Sequence, residues 1–229
     1  GLLAIGASPV MAHSLDEVAE MTSIASALVI NIGTLDQEWV KAMLIAGKTA
    51  LQKDIPIVCD PVGAGATSYR TDVCKKIIEE CHPSIIRGNA SEIMALSDAT
   101  IKTKGVDSTN TSDSALDFAK ALALQTKSIV VISGQTDYIT NGSGTETVTN
   151  GHTMMAKVTG MGCTATAIVA SFAAINPDML EAATHGMAIM SIAGEIAAAR
   201  SRGNGSLQVN FLDELYTINN ETIRKHIKL

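Results

Sequence analysis

Apolar and polar positions fall into blocks along this chain. Short apolar runs at residues 27–31, 55–59, 84–86 and 128–132 each close on a polar or glycine-bearing cluster, the pattern of buried strands. Helical periodicity occupies the segments between them. One such helix is predicted over 36–53, with Val40, Met43, Leu44, Ala46 and Gly47 on one side. Others are predicted over 70–81, with Ile77 and Ile78 inward, over 90–96, and from a cap at Ser112 or Ser114 to Lys127. Ser14-Leu15-Asp16-Glu17 reads as a capping box that opens a short helix. The opening Gly1-Leu2-Leu3-Ala4-Ile5-Gly6 reads as a strand entered without a turn or cap before it, as if an N-terminal piece preceded it. Residues 100–111 are rich in Thr, Ser, Asp and Gly and read as a loop. Tyr138-Ile139-Thr140 and Thr147-Val148-Thr149 flank Asn141-Gly142-Ser143-Gly144 and predict a β-hairpin. After Gly160 come two long Ala-rich helices broken at Asn176-Pro177, then a turn over 203–205. A last amphipathic helix carries Leu207, Phe211 and Leu215 at i, i+4 and i+8. Strands separated by helices predict an α/β fold, a central mainly parallel sheet with helices on both faces. No internal repeat or linker divides the 229 residues, so one domain over 1–229 is expected.

Composition removes several function classes. Hydrophobic residues are 46% and mean hydropathy is +0.23, which supplies a core and excludes disorder. Aromatics are 3%, too few for a base-stacking surface. Seventeen basic against 23 acidic residues give −6 and a pI near 5.3, which argues against a nucleic-acid partner. An anionic small molecule needs only local groups and stays open. The four cysteines, Cys59, Cys74, Cys81 and Cys163, form no C-x-x-C pair and read as reduced thiols of a cytoplasmic protein. Residues 158–177 carry no charge and are long enough to span a bilayer. Their two glycines, several Thr and Ser residues and closing Asn-Pro predict a buried helix instead, hence no membrane partner.

The candidate chemistry lies at strand ends, because ligands of an open α/β sheet gather beyond the carboxyl ends of its strands. Those ends carry Asn31-Ile32-Gly33-Thr34, the run Asp60-Pro61-Val62-Gly63-Ala64-Gly65-Ala66, Arg87-Gly88-Asn89-Ala90-Ser91-Glu92 and Ser133-Gly134. Each cluster alone is also ordinary turn chemistry; convergence on one edge is what would make a site. Gly160-Met161-Gly162-Cys163 leads into an apolar helix, so bare amides and the helix dipole there suit a phosphate or a phosphoryl group in transfer. Cys163 in the first turn reads either as a weak base or as a small apolar filler. Gly160-x-Gly162-x-x-Ala165 also meets a dinucleotide fingerprint, but it lies late in the chain and not after the first strand. No G-x-x-x-x-G-K-[ST] sequence exists, so a P-loop is excluded. Asp60 and Glu92 are the carboxylates best suited to Mg²⁺, and Arg87 to a nucleotide phosphate. His152 is left between lining a site and an exposed or structural role.

Taken in order, Ala7-Ser8-Pro9-Val10-Met11-Ala12-His13, Asn31-Ile32-Gly33-Thr34, the Asp60 and Arg87 runs, Lys104-Gly105-Val106-Asp107-Ser108 and Val158-Thr159-Gly160-Met161-Gly162-Cys163 resemble hydroxyethylthiazole kinases. These are thiamine-salvage enzymes of the ribokinase-like superfamily. The resemblance covers nearly the whole chain and implies a ribokinase-like fold. Members usually carry a further N-terminal segment that contributes to the thiazole pocket, which bears on the abrupt start. It implies Mg²⁺-dependent transfer of the ATP γ-phosphate to the hydroxyl of 4-methyl-5-(2-hydroxyethyl)thiazole. By resemblance, Met11 and Gly160 are substrate-binding. Arg87 and Ser133 are ATP-binding, Ser133 standing where Thr is more frequent. Asp60 and Glu92 serve the metal, Glu92 within an Asn89-x-x-Glu92 motif. Cys163 is catalytic beside Gly160 and Gly162, at the place where related sugar kinases have Asp. Met161 replaces a more usual Thr. A homotrimer with active sites at subunit boundaries is implied, as is a cytoplasmic location. The alternatives are an ATP-dependent NAD(P)H-hydrate dehydratase, which Cys163 disfavours, and a catalytically weak nucleotide-binding protein of the same fold.

Overall fold

In the computed structural model, which describes residues 1–97 and 115–228, the apolar runs form one six-stranded sheet whose spatial order follows the chain. Strands β1 (Leu28–Asn31), β2 (Ile57–Asp60), β3 (Ile85–Asn89) and β4 (Ile129–Ser133) are parallel neighbours. The hairpin β5 (Asp137–Thr140) and β6 (Thr145–Val148) adds two antiparallel strands at the far edge. Side chains alternate between the two faces of a strand. In β2, Val58 enters one core while Ile57 and Cys59 enter the other. In β3 and β4, Ile85 and Val131 side with Val58, and Ile86, Val130 and Ile132 with Cys59. Both faces are therefore apolar, as helices on both sides require.

Helices α1 (Val18–Ser23), α2 (Gln37–Gln52), α3 (Ser68–Cys81), α4 (Ala90–Leu96) and α5 (Leu116–Thr126) precede β4. The apolar faces of α2 to α5 cover the Cys59 side of the sheet. A 3-10 turn (Thr153–Lys157) follows β6, and then α6 (Met161–Ala173), α7 (Met179–Ala199), α8 (Asn204–Thr217) and α9 (Asn220–His226). The first three of these cover the Val58 side. Asp36, Thr67, Asn89, Asp178 and Asn219 each cap a helix by accepting a first-turn amide. No helix among the described residues is long and apolar enough to cross a membrane.

Two expectations are corrected. The opening Gly1–Gly6 segment is a series of turns, closed by Ile5 N–H on Gly1 O and Ala7 N–H on Leu2 O, with Ala4 and Ile5 packed against the Val58-side core. The box at Ser14 and Glu17 does not form. Ser14 Oγ accepts the Asp16 amide instead, and α1 begins at Val18 without a side-chain cap. His152 Nδ1 accepts the Met154 amide and starts the 3-10 turn, so His152 serves as an exposed cap. The predicted loop over 100–111, Asp107 and its motif, and the caps at Ser112 or Ser114 lie outside the described residues.

Small residues bring α6 and α7 into close contact. A Cβ added at Gly186 would stand 2.8 Å from Val169 Cα and 3.2 Å from its nitrogen. Alanine would gain up to about 1 kcal/mol of helix propensity. The obstacle is backbone, which cannot rotate aside, so overpacking of about 1–3 kcal/mol prevails. Gly186→Ala is expected to lower Tm by several degrees in a thermal melt; an unchanged Tm would show that the two helices separate without cost.

Candidate active site

Strand parity gathers the site. Asn31, Asp60, Arg87 and Ser133 lie two residues beyond Val29, Val58, Ile85 and Val131, and Asp137 lies two before Ile139. Positions i and i+2 share a face, so five neighbouring strands present polar side chains on the face covered by α6 and α7. The register aligns Asn31 with Asp60 and Asn89 with Ser133, placing the four parallel strand ends on one edge. A cavity of about 550 Å³ opens elsewhere, between Leu51, Asp54, His82, Ile175 and Met179, and shares no residue with these strand ends.

Asp60 is the buried centre of the cluster. Its Oδ2 accepts from Asn31 Nδ2 at 3.0 Å and from Thr166 Oγ1 at 2.8 Å, joining β1, β2 and α6. Burial raises its pKa above the usual carboxylate value and the Glu92 charge adds to this, while Arg87 and the two hydrogen bonds oppose it. Asn31 Oδ1 accepts the Gly33 amide at 2.8 Å, which orients the side-chain NH₂ inward. Its second hydrogen goes to Cys163 Sγ at 3.2 Å.

Cys163 is exposed in the first turn of α6. Gly160, the N-cap, has φ +86°, a left-handed conformation suited to glycine, and offers no side chain to its helix. Thr164 N–H closes the first turn on Gly160 O at 2.8 Å, so the amides of Gly162 and Cys163 precede the first intrahelical bond and face outward with the dipole. Arg87 is buried against this terminus. Its Nη1 donates to Gly162 O at 3.1 Å and its Nη2 to Ser133 Oγ at 2.7 Å. Its Nε is buried without a partner among the described residues. A side chain at Gly162 would meet the guanidinium, with Cβ 3.1 Å from Nη1.

The Asn89-x-x-Glu92 motif is a capping box. Asn89 Oδ1 accepts the Glu92 amide at 3.0 Å, and Glu92 Oε2 accepts the Asn89 amide at 2.8 Å. Glu92 Oε1 also accepts the Gly63 amide at 2.9 Å, which ties the loop after β2 to α4. Each carboxylate oxygen accepts one of these amides and retains a second lone pair.

Asp60, Arg87, Ser133, Gly162 and Cys163 are thus joined by direct bonds or one intermediate. Met11 stands apart: it is 88% exposed, and no hydrogen bond among the described residues links it to the others. Sequence reasoning missed three contributors. Asn31 stands in one of the strand-end clusters, but the sequence assigns it no individual role. Arg70 ties the first two strand ends by donating to Ile32 O, Val62 O and Gly33 O at 2.9, 2.9 and 3.0 Å; backbone partners leave no motif to find. Asp137 is buried, accepting the Gly134 amide at 2.9 Å and the Ser191 hydroxyl at 3.3 Å. Its signal was an acid in register with inward-facing Ile139.

A mainly parallel sheet whose polar strand ends face a glycine-led helix N-terminus has counterparts among solved structures. A ribokinase-like superfamily protein from Enterococcus faecalis V583 shares this fold with TM-score 0.65 at 16% identity, over 91% of this chain and 66% of that one. A narrower assignment follows from sequence. The model of the hydroxyethylthiazole kinase family matches residues 1–221. The chain is 50% identical over 228 residues to the hydroxyethylthiazole kinase of Nitratidesulfovibrio vulgaris strain DP4, spanning 100% of this chain and 85% of that protein. The structure of the hydroxyethylthiazole kinase protein from Pyrococcus horikoshii OT3 superposes with TM-score 0.91 at 38% identity, over 99% of this chain and 85% of that one. The chain belongs to the hydroxyethylthiazole kinase family.

Proposed function

We propose that the chain transfers the γ-phosphoryl group of ATP to the primary hydroxyl of 4-methyl-5-(2-hydroxyethyl)thiazole at the N-terminus of α6. The observation that carries this reading is the convergence of the outward amides of Gly162 and Cys163 with Asp60, Arg87 and Ser133 on one sheet edge. Phosphoryl transfer is mainly positioning and charge stabilisation. The helix amides face the transferring group, Gly160 lets the alcohol approach the backbone, and Arg87 and Ser133 hold the nucleotide. Cys163, as its thiolate, takes the hydroxyl proton and becomes the thiol, a secondary duty in a loose transition state.

The donor set fits Mg²⁺, which takes one or two carboxylates together with phosphate and water oxygens. Asp60 and Glu92 are near enough for the Glu92 charge to act on Asp60, a repulsion that a cation relieves. In this reading these two residues hold Mg²⁺, which when bound neutralises charge on the triphosphate. The reading also includes one domain over 1–229, a cytoplasmic location and a homotrimer with sites at subunit boundaries. Apolar exposure at Val10, Met11, Leu15, Ile24 and the edge-strand residue Val29 supports the trimer, and a neighbouring subunit there would give Met11 its contact with substrate.

A coupled ADP-release assay tests the activity. ADP release that depends on the thiazole alcohol is expected; release that depends only on a hydrated nicotinamide nucleotide would overturn the assignment.

A further inference from the structure

Asp137 has no part in the chemistry above, yet it lies on the same sheet face, on the strand beside Ser133. Its side chain is 5% exposed. One oxygen accepts the Gly134 amide at 2.9 Å and the other the Ser191 hydroxyl on α7 at 3.3 Å. Gly134 itself is exposed at the strand edge, and Ser133 is half-buried. From Ser133 the chain of contacts runs on: its Oγ accepts from Arg87 Nη2 and donates to Gly88 O at 3.3 Å. Arg87 then reaches Gly162 O at the start of α6.

The other acids that accept main-chain amides among the described residues, Asp36, Glu92, Asp178 and Glu195, are exposed or half-buried. At Asp137 an ionisable acid is buried instead, which is costly unless its charge is answered. Burial pushes its pKa up to about 6, while the Gly134 amide, Arg87 and Ser191 favour the charged form. Of these three groups, Gly134 directly follows Ser133, Arg87 bonds to Ser133, and Ser191 lies on α7.

We propose that Asp137 is a positioning residue of the nucleotide subsite, holding the Ser133-Gly134 turn by the Gly134 amide and so setting Ser133 and Arg87. The inference rests on the assignment of Arg87 and Ser133 to ATP.

Steady-state kinetics on the full chain, with ATP and the thiazole alcohol varied separately, tests it. Asp137→Ala is expected to raise the KM for ATP about tenfold, with kcat and the alcohol KM within threefold. Asp137→Asn keeps an acceptor for Gly134 and a donor for Ser191 Oγ, and is expected to restore the ATP KM to within threefold of the starting protein. Ser191→Ala cuts only the tie to α7 and should leave both KM values unchanged. If the alanine variant does not fold, Asp137→Leu, close to Asp in shape and without an acceptor, is measured in its place. Equal rises in both KM values, no rise in either, or an Asn variant no better than Ala would overturn the proposal. Ser133→Ala and Arg87→Met separate it from its premise. An unchanged ATP KM in both would remove the subsite itself. A raised ATP KM there, with no change in Asp137→Ala, would remove Asp137 alone.

Discussion

Asp60→Asn is expected to lower kcat by about two to three orders of magnitude, the range for losing one preorganised electrostatic group, without lowering Tm. The substitution is close to isosteric. Both hydrogen bonds, from Asn31 Nδ2 and Thr166 Oγ1, end on the same oxygen, Oδ2, so the amide oxygen of Asn serves both donors and β1, β2 and α6 stay joined. What disappears is the charge. The folded protein raises the Asp60 pKa, chiefly by burial. Its ionisation therefore works against folding once pH rises above the ordinary carboxylate range, and a neutral residue is no less stable at neutral pH. Lost turnover beside an undiminished Tm would separate chemistry from folding. Turnover within threefold of the starting protein, by steady-state assay, would remove Asp60 from the reaction; a large fall in Tm would assign it to the scaffold.

The second large effect is expected at Cys163. Cys163→Ser should reduce kcat by about tenfold to a hundredfold and leave the ATP KM within twofold. A thiol yields its proton far more readily than an alkyl hydroxyl, while base assistance weighs less than usual in a loose phosphoryl-transfer transition state. Serine keeps the size of the residue and an acceptor for Asn31 Nδ2, which donates to Sγ at 3.2 Å. Arg87, proposed with Ser133 to hold the nucleotide, bonds to Gly162 O and to Ser133 Oγ, not to Cys163. Full turnover would remove Cys163 from catalysis. A rise in the ATP KM equal to the fall in kcat would instead indicate a change in the α6 terminus as a whole.

Much of this site was legible before any coordinates. Gly160-Met161-Gly162-Cys163 announced a helix terminus open to an anion, and α6 begins at Met161 with Gly160 as its N-cap. The Asp60, Arg87 and Ser133 clusters were recognisable because parallel strands end abruptly in polar residues. Glu92 was harder. The family resemblance implies a metal role for it within Asn89-x-x-Glu92, and the capping box and the bond to Gly63 show that it holds the backbone. Arg70 and Asp137 left weak traces, since their partners are main-chain groups and a hydroxyl distant in sequence.

Local order was determined by the sequence itself: apolar runs, capping side chains and glycines act on neighbouring residues, so strands, helices and the bare amides of α6 follow from short-range sterics and hydrogen bonding. Only the tertiary structure decided how far-apart residues meet. Parallel register sets Asn31 against Asp60 across 29 positions, and helix packing carries Thr166 to the same carboxylate across 106. Those contacts depend on long-range burial, which a linear pattern of residues does not encode pair by pair.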